Sequence, residues 1–233
     1  MKSINYFIFS LLSLSLLFSC KSDPKESKTK DNSDETIEQK VVLKENKHSN
    51  NGTYALDNNA SVVYWTGSKP AGTHNGGIKV KSGEIRYEDG SLAAGKFTAD
   101  MTSINVTDLE GDEKYDLENH LKGKIKGKEN HFFNVEKYPE SQFIIKSVEE
   151  VNGKYRIYGV LTIKDISNPV KLNAQIKFGH NNESLKLKSD EFTIDRTQWG
   201  IEYMSKSIFD DLKERFIDDE IKLKINLKAD KKS

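Results

Sequence analysis

Apolar and polar residues alternate strictly along much of the chain from residue 51 onward. In residues 170–178 and 221–227 every second residue is apolar, and lysine, asparagine or glutamine lies between. Residues 97–101 and 155–163 show the same period of two. This period is typical of strands that bury one face and expose the other, as antiparallel strands do.

The alternating runs and the turn signals between them predict about eight strands. The predicted strands span residues 54–57 continuing into 61–67, then 76–81, 84–89, 93–103, 141–149, 154–164, 169–178, 184–194 and 219–229. The predicted turns are Lys81-Ser82-Gly83, Asp89-Gly90, Asn152-Gly153, Asn168-Pro169 and residues 179–182. A short helix with an acidic start is predicted at residues 112–121, inside a long connection.

A sheet of about eight strands must either close on itself or split into two packed layers. Closure leaves no unpaired edge. The pattern therefore predicts an all-β fold, a single antiparallel barrel with a short helix in a long connection. A barrel of this size is either filled by side chains or holds one small ligand.

The first twenty residues read as a targeting segment. Lys2 gives a positive start, and the apolar stretch at residues 4–18 is too short to span a bilayer comfortably. It ends in Leu17-Phe18-Ser19-Cys20, which resembles a lipobox, and Cys20 is the single cysteine of the chain. We expect residues 1–20 to be a lipoprotein signal peptide with Cys20 as the lipid anchor. The alternative is an ordinary signal peptide with an incidental cysteine.

Residues 21–50 differ from both neighbours. They contain no aromatic residue and are rich in lysine, acidic residues, serine and asparagine. Such a segment buries too little apolar surface to offset its ordering entropy. We expect a disordered tether there, followed by one domain at residues 51–230.

The charge balance narrows the choice of partners. The chain has 36 lysines and arginines against 36 acidic residues. A nucleic-acid partner requires a basic surface, so none is expected. A neutral balance is compatible with an apolar ligand.

Short motifs in a characteristic order suggest a family. They include Ser61-Val-Val-Tyr-Trp65, Phe132-Phe133-Asn134-Val135 with Tyr138-Pro139, Gly159-Val-Leu161-Thr162-Ile163-Lys164, and Asp195-Arg196 with Trp199-Gly200. In this order the stretch from residue 54 to residue 229 resembles the YceI-like family of lipocalin-like, polyisoprenoid-binding barrels. A basic insertion between Leu121 and Phe132 departs from the pattern. The resemblance implies a lipocalin-like barrel whose apolar tunnel holds an isoprenoid chain or a similar amphiphile.

Alternation and aromatic content together nominate the ligand-binding residues. They share an inward position or an aromatic ring on or beside a strand, and they are Trp65, Phe97, Ala99, Met101, Phe133, Phe143, Ile145, Tyr155, Ile157, Leu161, Leu172, Ile176, Phe192 and Trp199. The same residue types would also fill a closed barrel, so the sequence does not separate lining from filling. Asp195 and Arg196 beside Trp199 favour a structural corner over a site.

Metal binding and catalysis find little support in the sequence. His74, His120 and His131 lack the close ligand pairing of a zinc site, and hydrogen-bonded histidines at the barrel rim are preferred. No catalytic or cofactor fingerprint is present. We therefore expect neither a metal, a cofactor nor catalytic residues.

The expected function is non-catalytic binding, sequestration or transport of a polyisoprenoid, an isoprenoid quinone or a similar amphiphile in the bacterial cell envelope. An envelope enzyme acting on a lipid or sugar and an interaction module with a closed barrel remain alternatives. The membrane is an expected partner through the acylated N-terminus. An outer-membrane position facing the periplasm is favoured over the cell surface or inner membrane, because Lys21 rather than Asp follows Cys20. A homodimer stays open.

Overall fold

The alternating segments pair into one antiparallel sheet in the computed structural model, which describes residues 50–233. Its strands are β1 (Gly52–Leu56), β2 (Val62–Lys69), β3 (Gly72–Glu88), β4 (Ser91–Asp100), β5 (Asn105–Val106), β6 (Glu140–Val151), β7 (Lys154–Ile163), β8 (Ile166–Phe178), β9 (Ser184–Ser189), β10 (Phe192–Asp195) and β11 (Glu220–Lys231). One α-helix, α1, spans Gly111–Lys122.

The sheet closes into a barrel. Within the described residues, a ring of eight strands runs β11-β2-β3-β4-β6-β7-β8-β9, and pairing of β9 with β11 closes it. β1 and β2 lie end to end between β3 and β11, and β9 and β10 lie end to end on the other side of β11. The predicted fold class, an antiparallel lipocalin-like barrel of about eight strands, is confirmed.

Two of the predicted turns are wrong. Residues 76–81 and 84–89 belong to the single strand β3, which has a register shift between Val80 and Ser82 instead of a turn. Gly83 is needed there because a Cβ would lie 2.5 Å from the Lys96 carbonyl oxygen, so it marks a close approach of two strands.

The second wrong turn, Asn168-Pro169, lies inside β8. The chain reverses earlier, at Lys164 and Asp165, whose φ angles of 50° and 62° are in the left-handed region. Lys164 is unusual in the first position of such a turn, and Asp165 stands in the second position, where glycine is usual. The turns at Asp89-Gly90 and Asn152-Gly153 are confirmed, and all four of their residues have positive φ.

The predicted helix is confirmed as α1, with Asp112 and Glu113 in its first turn, where the helix dipole favours negative charge. Gly123 follows in the left-handed conformation at φ 74° and ends the helix. Leu117 and Leu121 pack toward the barrel interior. The helix therefore covers one end of the barrel.

The opposite end of the barrel is filled by side chains. Tyr54, Ile85, Ile157, Leu185 and Leu187 are fully buried there. They come from the ends of β1, β3, β7 and β9 that lie away from α1. The interior can therefore be open only in the half beneath the helix.

The expected signal peptide, the lipid anchor Cys20 and the greater part of the expected tether lie outside the described residues. No helix in the part that the structure describes is long and apolar enough to cross a membrane.

Candidate ligand-binding cavity

An apolar cavity of about 530 Å³ occupies the half of the barrel beneath α1. Its wall is built from inward residues of the barrel strands, and α1 and two loops cover it. The first loop, residues 123–139, contributes Phe132 and Phe133, and the second loop, residues 196–219, contributes Tyr203, Met204 and Ile217. The residues that make the cavity are thus far apart in the sequence and meet because the barrel closes.

Eight of the residues nominated from the sequence line this cavity, and they are Trp65, Phe97, Ala99, Met101, Phe133, Phe143, Leu161 and Phe192. The other nominated residues lie elsewhere, and they are Ile145, Tyr155, Ile157, Leu172, Ile176 and Trp199. All of these except Trp199 pack in the filled half of the barrel. That any of the eight contacts a ligand remains a prediction.

Phe97, Phe143 and Leu161 form the floor of the cavity. Phe143 lies opposite Phe97 on β4 and opposite Leu161 on β7. The Phe97 and Phe143 rings are nearly parallel, at an interplanar angle of 4°, with centroids 6.3 Å apart. The next inward pair, Ile145 and Gly159, no longer lines the cavity. Alternation shows that both Phe143 and Ile145 point into the barrel, but it does not indicate which of them borders open space.

Several lining residues were not nominated. Inward residues of β11 form one wall, and they are Ile221, Leu223, Ile225 and Leu227. Their alternation was visible in the sequence and could have placed them. Leu117 and Phe132 of the cover lie in segments without a period of two. Only the three-dimensional structure shows that these two residues line the cavity.

A cluster of aromatic rings holds the cover together. His120 Nε2 lies 2.9 Å from His131 Nδ1, and this hydrogen bond joins the end of α1 to the first loop. The His131 ring stacks on Tyr203 of the second loop, with centroids 3.8 Å apart and an interplanar angle of 16°. Phe132 meets His120 edge-on at 5.0 Å. α1 and the two loops therefore meet in one cluster of aromatic rings.

The pKa values of both cover histidines lie below the ordinary histidine range. Burial lowers the pKa of His120 first, and His131 and Lys128 lower it further. Burial and Lys128 likewise lower the pKa of His131, while Glu129 opposes this. A hydrogen bond between two imidazoles requires at least one acceptor nitrogen, so the pair cannot survive with both rings charged.

Arg196 is a buried structural residue of the cover. It is 1% exposed. Its guanidinium donates to the carbonyl oxygens of Ile201 at 2.7 Å, Ile217 at 2.9 Å and Asp218 at 3.0 Å. These bonds fix both ends of the loop that carries Tyr203. The geometry of Arg196 therefore agrees with the structural role that the sequence favoured.

Trp199 is buried against the backbone of β7 and does not line the cavity. It is 1% exposed, and its indole Nε1 donates to the Leu161 carbonyl oxygen at 3.1 Å. This contact fixes the start of the second loop against the barrel wall. Trp199 therefore holds the backbone of the floor residue Leu161 in place without lining the cavity.

The polar groups around His74, which also lines the cavity, have hydrogen-bond partners. His74 Nδ1 lies 2.8 Å from Asp108 Oδ2, and the Asn75 backbone N–H donates to the other carboxylate oxygen. Burial raises the pKa of Asp108, but the hydrogen bonds from Asn75 and His74 outweigh it and hold the pKa below its usual range. Within residues 50–233, no three histidine, cysteine or acidic side chains are placed to share a metal ion.

Comparison with solved structures supports the barrel architecture. BcnA of Burkholderia cenocepacia superposes with a TM-score of 0.59 at 19% identity, over 75% of this chain and 99% of BcnA. A polyisoprenoid binding domain from Saccharophagus degradans, implicated in plant cell wall breakdown, superposes with a TM-score of 0.56 at 13% identity, over 77% of this chain and 98% of that domain. At these identities the likeness concerns the fold.

Sequence comparison identifies the family. A UPF0312 protein of Photorhabdus laumondii is 30% identical over 103 residues, which are 43% of this chain and 47% of that relative. The match thus spans about half the length of that curated relative. The YceI-like domain matches residues 54–229, nearly the whole described region. The chain therefore belongs to the YceI-like domain family.

Proposed function

We propose that this protein binds the apolar chain of an isoprenoid or similar amphiphile in the cavity beneath α1, without catalysing a reaction. The observation that carries the proposal is the cavity itself, about 530 Å³ in volume, whose surface is almost entirely apolar. This volume is in the range of roughly 300 to 1,000 Å³ typical of small-molecule sites. Transfer of an apolar chain from water into such a space contributes about 0.8 kcal/mol per buried CH₂.

The polar groups around the cavity support binding over catalysis. Arg196 donates to backbone carbonyl oxygens, His74 bonds to Asp108, and His120 bonds to His131. These contacts hold the cover and the lining residue His74 in place. The Saccharophagus degradans domain, which is named for polyisoprenoid binding, shares the barrel architecture and gives further support for an isoprenoid ligand.

The proposal includes a place in the cell. Acylation of Cys20 would anchor the protein to a membrane, and residues 21–50 would tether the barrel to it. An outer-membrane position facing the periplasm follows from Lys21 after the acylated cysteine. A barrel held close to a bilayer is well placed to take up or release a membrane amphiphile.

Native mass spectrometry of the purified protein tests the ligand. We expect a bound amphiphile that solvent extraction removes, and uptake of added farnesol by the emptied protein. A protein that carries no adduct and also takes up no farnesol would contradict binding. Turnover of a bound lipid or sugar, detected in the extract, would favour an enzyme instead.

A further inference from the structure

Two cavity-lining residues carry a buried polar atom with no hydrogen-bond partner. Within residues 50–233, the buried side-chain nitrogen and oxygen atoms without a partner are Trp65 Nε1, Ser141 Oγ and Asn226 Oδ1. Trp65 and Ser141 both line the cavity. Two of these three atoms therefore belong to the wall of one apolar space.

An unpartnered buried polar atom is costly, and the neighbouring polar groups avoid that cost. Burying a donor without an acceptor destabilises the folded state, and native proteins rarely leave such atoms unpaired. The other tryptophan, Trp199, donates to the Leu161 carbonyl oxygen. Among the polar residues of the wall, His74, His120 and Arg196 have partners as well. Trp65 and Ser141 are thus exceptions, because each has a hydrogen-bond donor without an acceptor.

Ser141 interrupts an apolar pattern at an inward position. It is 8% exposed and lies opposite Ala99 on β4. The next residues of this strand that point into the barrel are Phe143 and Ile145, toward the filled end. An alanine would fit the same place without an unpaired hydroxyl. Rotation about χ1 between staggered positions redirects the Oγ without moving the strand.

Trp65 is held in a fixed place on β2, three strands away from β6 in the ring. It lies opposite Leu223 on β11 and Gly76 on β3. A Cβ on Gly76 would be 2.8 Å from the Trp65 ring atom Cζ2, so the indole fits closely over the glycine. The indole N–H is a donor only, and an oxygen acceptor is the partner that it lacks.

We propose that Trp65 and Ser141 form a hydrogen-bonding subsite inside the cavity for a neutral oxygen of the ligand, such as a quinone carbonyl, an ether or a hydroxyl. This inference rests on the proposed function and specifies its ligand class. A charged phosphate does not fit the interior, because the buried cation Arg196 already donates to carbonyl oxygens. The other basic residues on the wall, Lys69 and Arg215, are exposed at its edge.

Two probes with the same decyl chain separate this subsite from general apolar binding. One is a decyl-substituted benzoquinone and the other is decylbenzene, which has no oxygen. Dissociation constants are measured for the wild type, Ser141→Ala, Trp65→Phe and the double variant. Ile225→Val, a purely apolar change of the wall, is the matched control and should alter both probes alike.

We expect each single variant to bind the quinone roughly two- to tenfold more weakly, the range of one net hydrogen bond, and to bind decylbenzene nearly as the wild type does. If the two losses are non-additive in the double variant, one oxygen contacts both residues. Equal effects on the two probes would overturn the subsite while leaving apolar binding intact. Failure of the wild type to bind either probe would instead overturn the proposed function.

Stability of the ligand-free protein gives a second readout. Ser141→Ala removes an unpartnered hydroxyl, so the empty variant should unfold at a higher temperature than the empty wild type. A lower unfolding temperature would show that Ser141 has a partner in the empty protein, and would contradict the subsite.

Discussion

The Phe143 ring occupies the space that a side chain on Gly159 would need. A Cβ on Gly159 would lie 2.2 Å from Phe143 Cζ and 2.8 Å from the backbone oxygen of Ile144. Phe143 forms the cavity floor with Phe97 and Leu161, so the glycine on β7 sets the position of that floor. The depth of the cavity therefore depends on a residue that does not line it.

Gly159→Ala should destabilise the barrel and shift the floor. Overpacking of this kind costs about 1–3 kcal/mol, and the Ile144 backbone leaves the strand little room to move. Urea unfolding measures the loss. Gly67→Ala is the control, because no atom lies within 4 Å of its Cβ position. Equal stability of the two variants would mean that the Phe143 ring does not lie against Gly159.

Arg196→Ala should be among the most destabilising single changes in the cover. The variant leaves the carbonyl oxygens of Ile201, Ile217 and Asp218 without their donor. It also leaves the Asp219 carboxylate without the guanidinium that lies 3.4 Å away, and breaking a buried ion pair in this way costs about 3–5 kcal/mol. Arg156→Ala is the control, since Arg156 pairs with Glu149 at 3.3 Å on the exposed surface. A surface pair contributes at most about 1 kcal/mol. Denaturant midpoints of the two variants should therefore differ clearly, and similar midpoints would argue against a structural role of Arg196.

Acid should loosen the cover through His120 and His131. Their pKa values are lowered in the folded protein, so the unfolded chain binds protons first as the pH falls through the ordinary histidine value of about 6.5. Their contribution to stability is therefore present above that pH and is lost below it. Thermal unfolding between pH 7.5 and 5.5 should show a fall that is smaller in His120→Gln. An identical fall in both proteins would exclude the pair as its source.

The strands could be predicted because alternation is a local signal. Residues 155–163 and 170–178 reveal their inward faces without knowledge of their partners. The error at Ser82-Gly83 has a physical cause, since a glycine serves both a turn and a close approach of strands, and only the Lys96 backbone across the sheet distinguishes the two. The turn at Lys164 and Asp165 has lysine in its first position and no glycine in its second, so it lacks the residue pairs that usually mark such a turn.

The site could be predicted only in part. Alternation places Phe143 and Ile145 on the same face, but the boundary between the open and the filled half depends on how the Phe143 ring packs against Gly159 across the sheet. Trp199 was nominated as a ligand contact because it is aromatic, but it is buried against the β7 backbone and does not line the cavity. The hydrogen bond of His120 to His131 joins a helix to a loop, and no spacing rule indicates it.

The membrane anchor is a separate prediction that rests on the sequence. Cys20→Ser should move the protein from the membrane fraction to the soluble fraction, because a hydroxyl does not take the place of the acylated thiol. Fractionation followed by immunoblotting measures the change. A serine variant that remains membrane-bound would show that Cys20 is not the anchor.

Blocking the cavity from within is the most direct test of ligand binding. Ala99 lies on β4 opposite Ser141 and lines the cavity, whereas Ala93 on the same strand is exposed. Displacement of a hydrophobic dye by farnesol is measured for the wild type, Ala99→Phe and Ala93→Phe, each checked for folding by circular dichroism. We predict that Ala99→Phe loses binding while Ala93→Phe binds as the wild type does. A folded Ala99→Phe variant with wild-type affinity would contradict binding in this cavity.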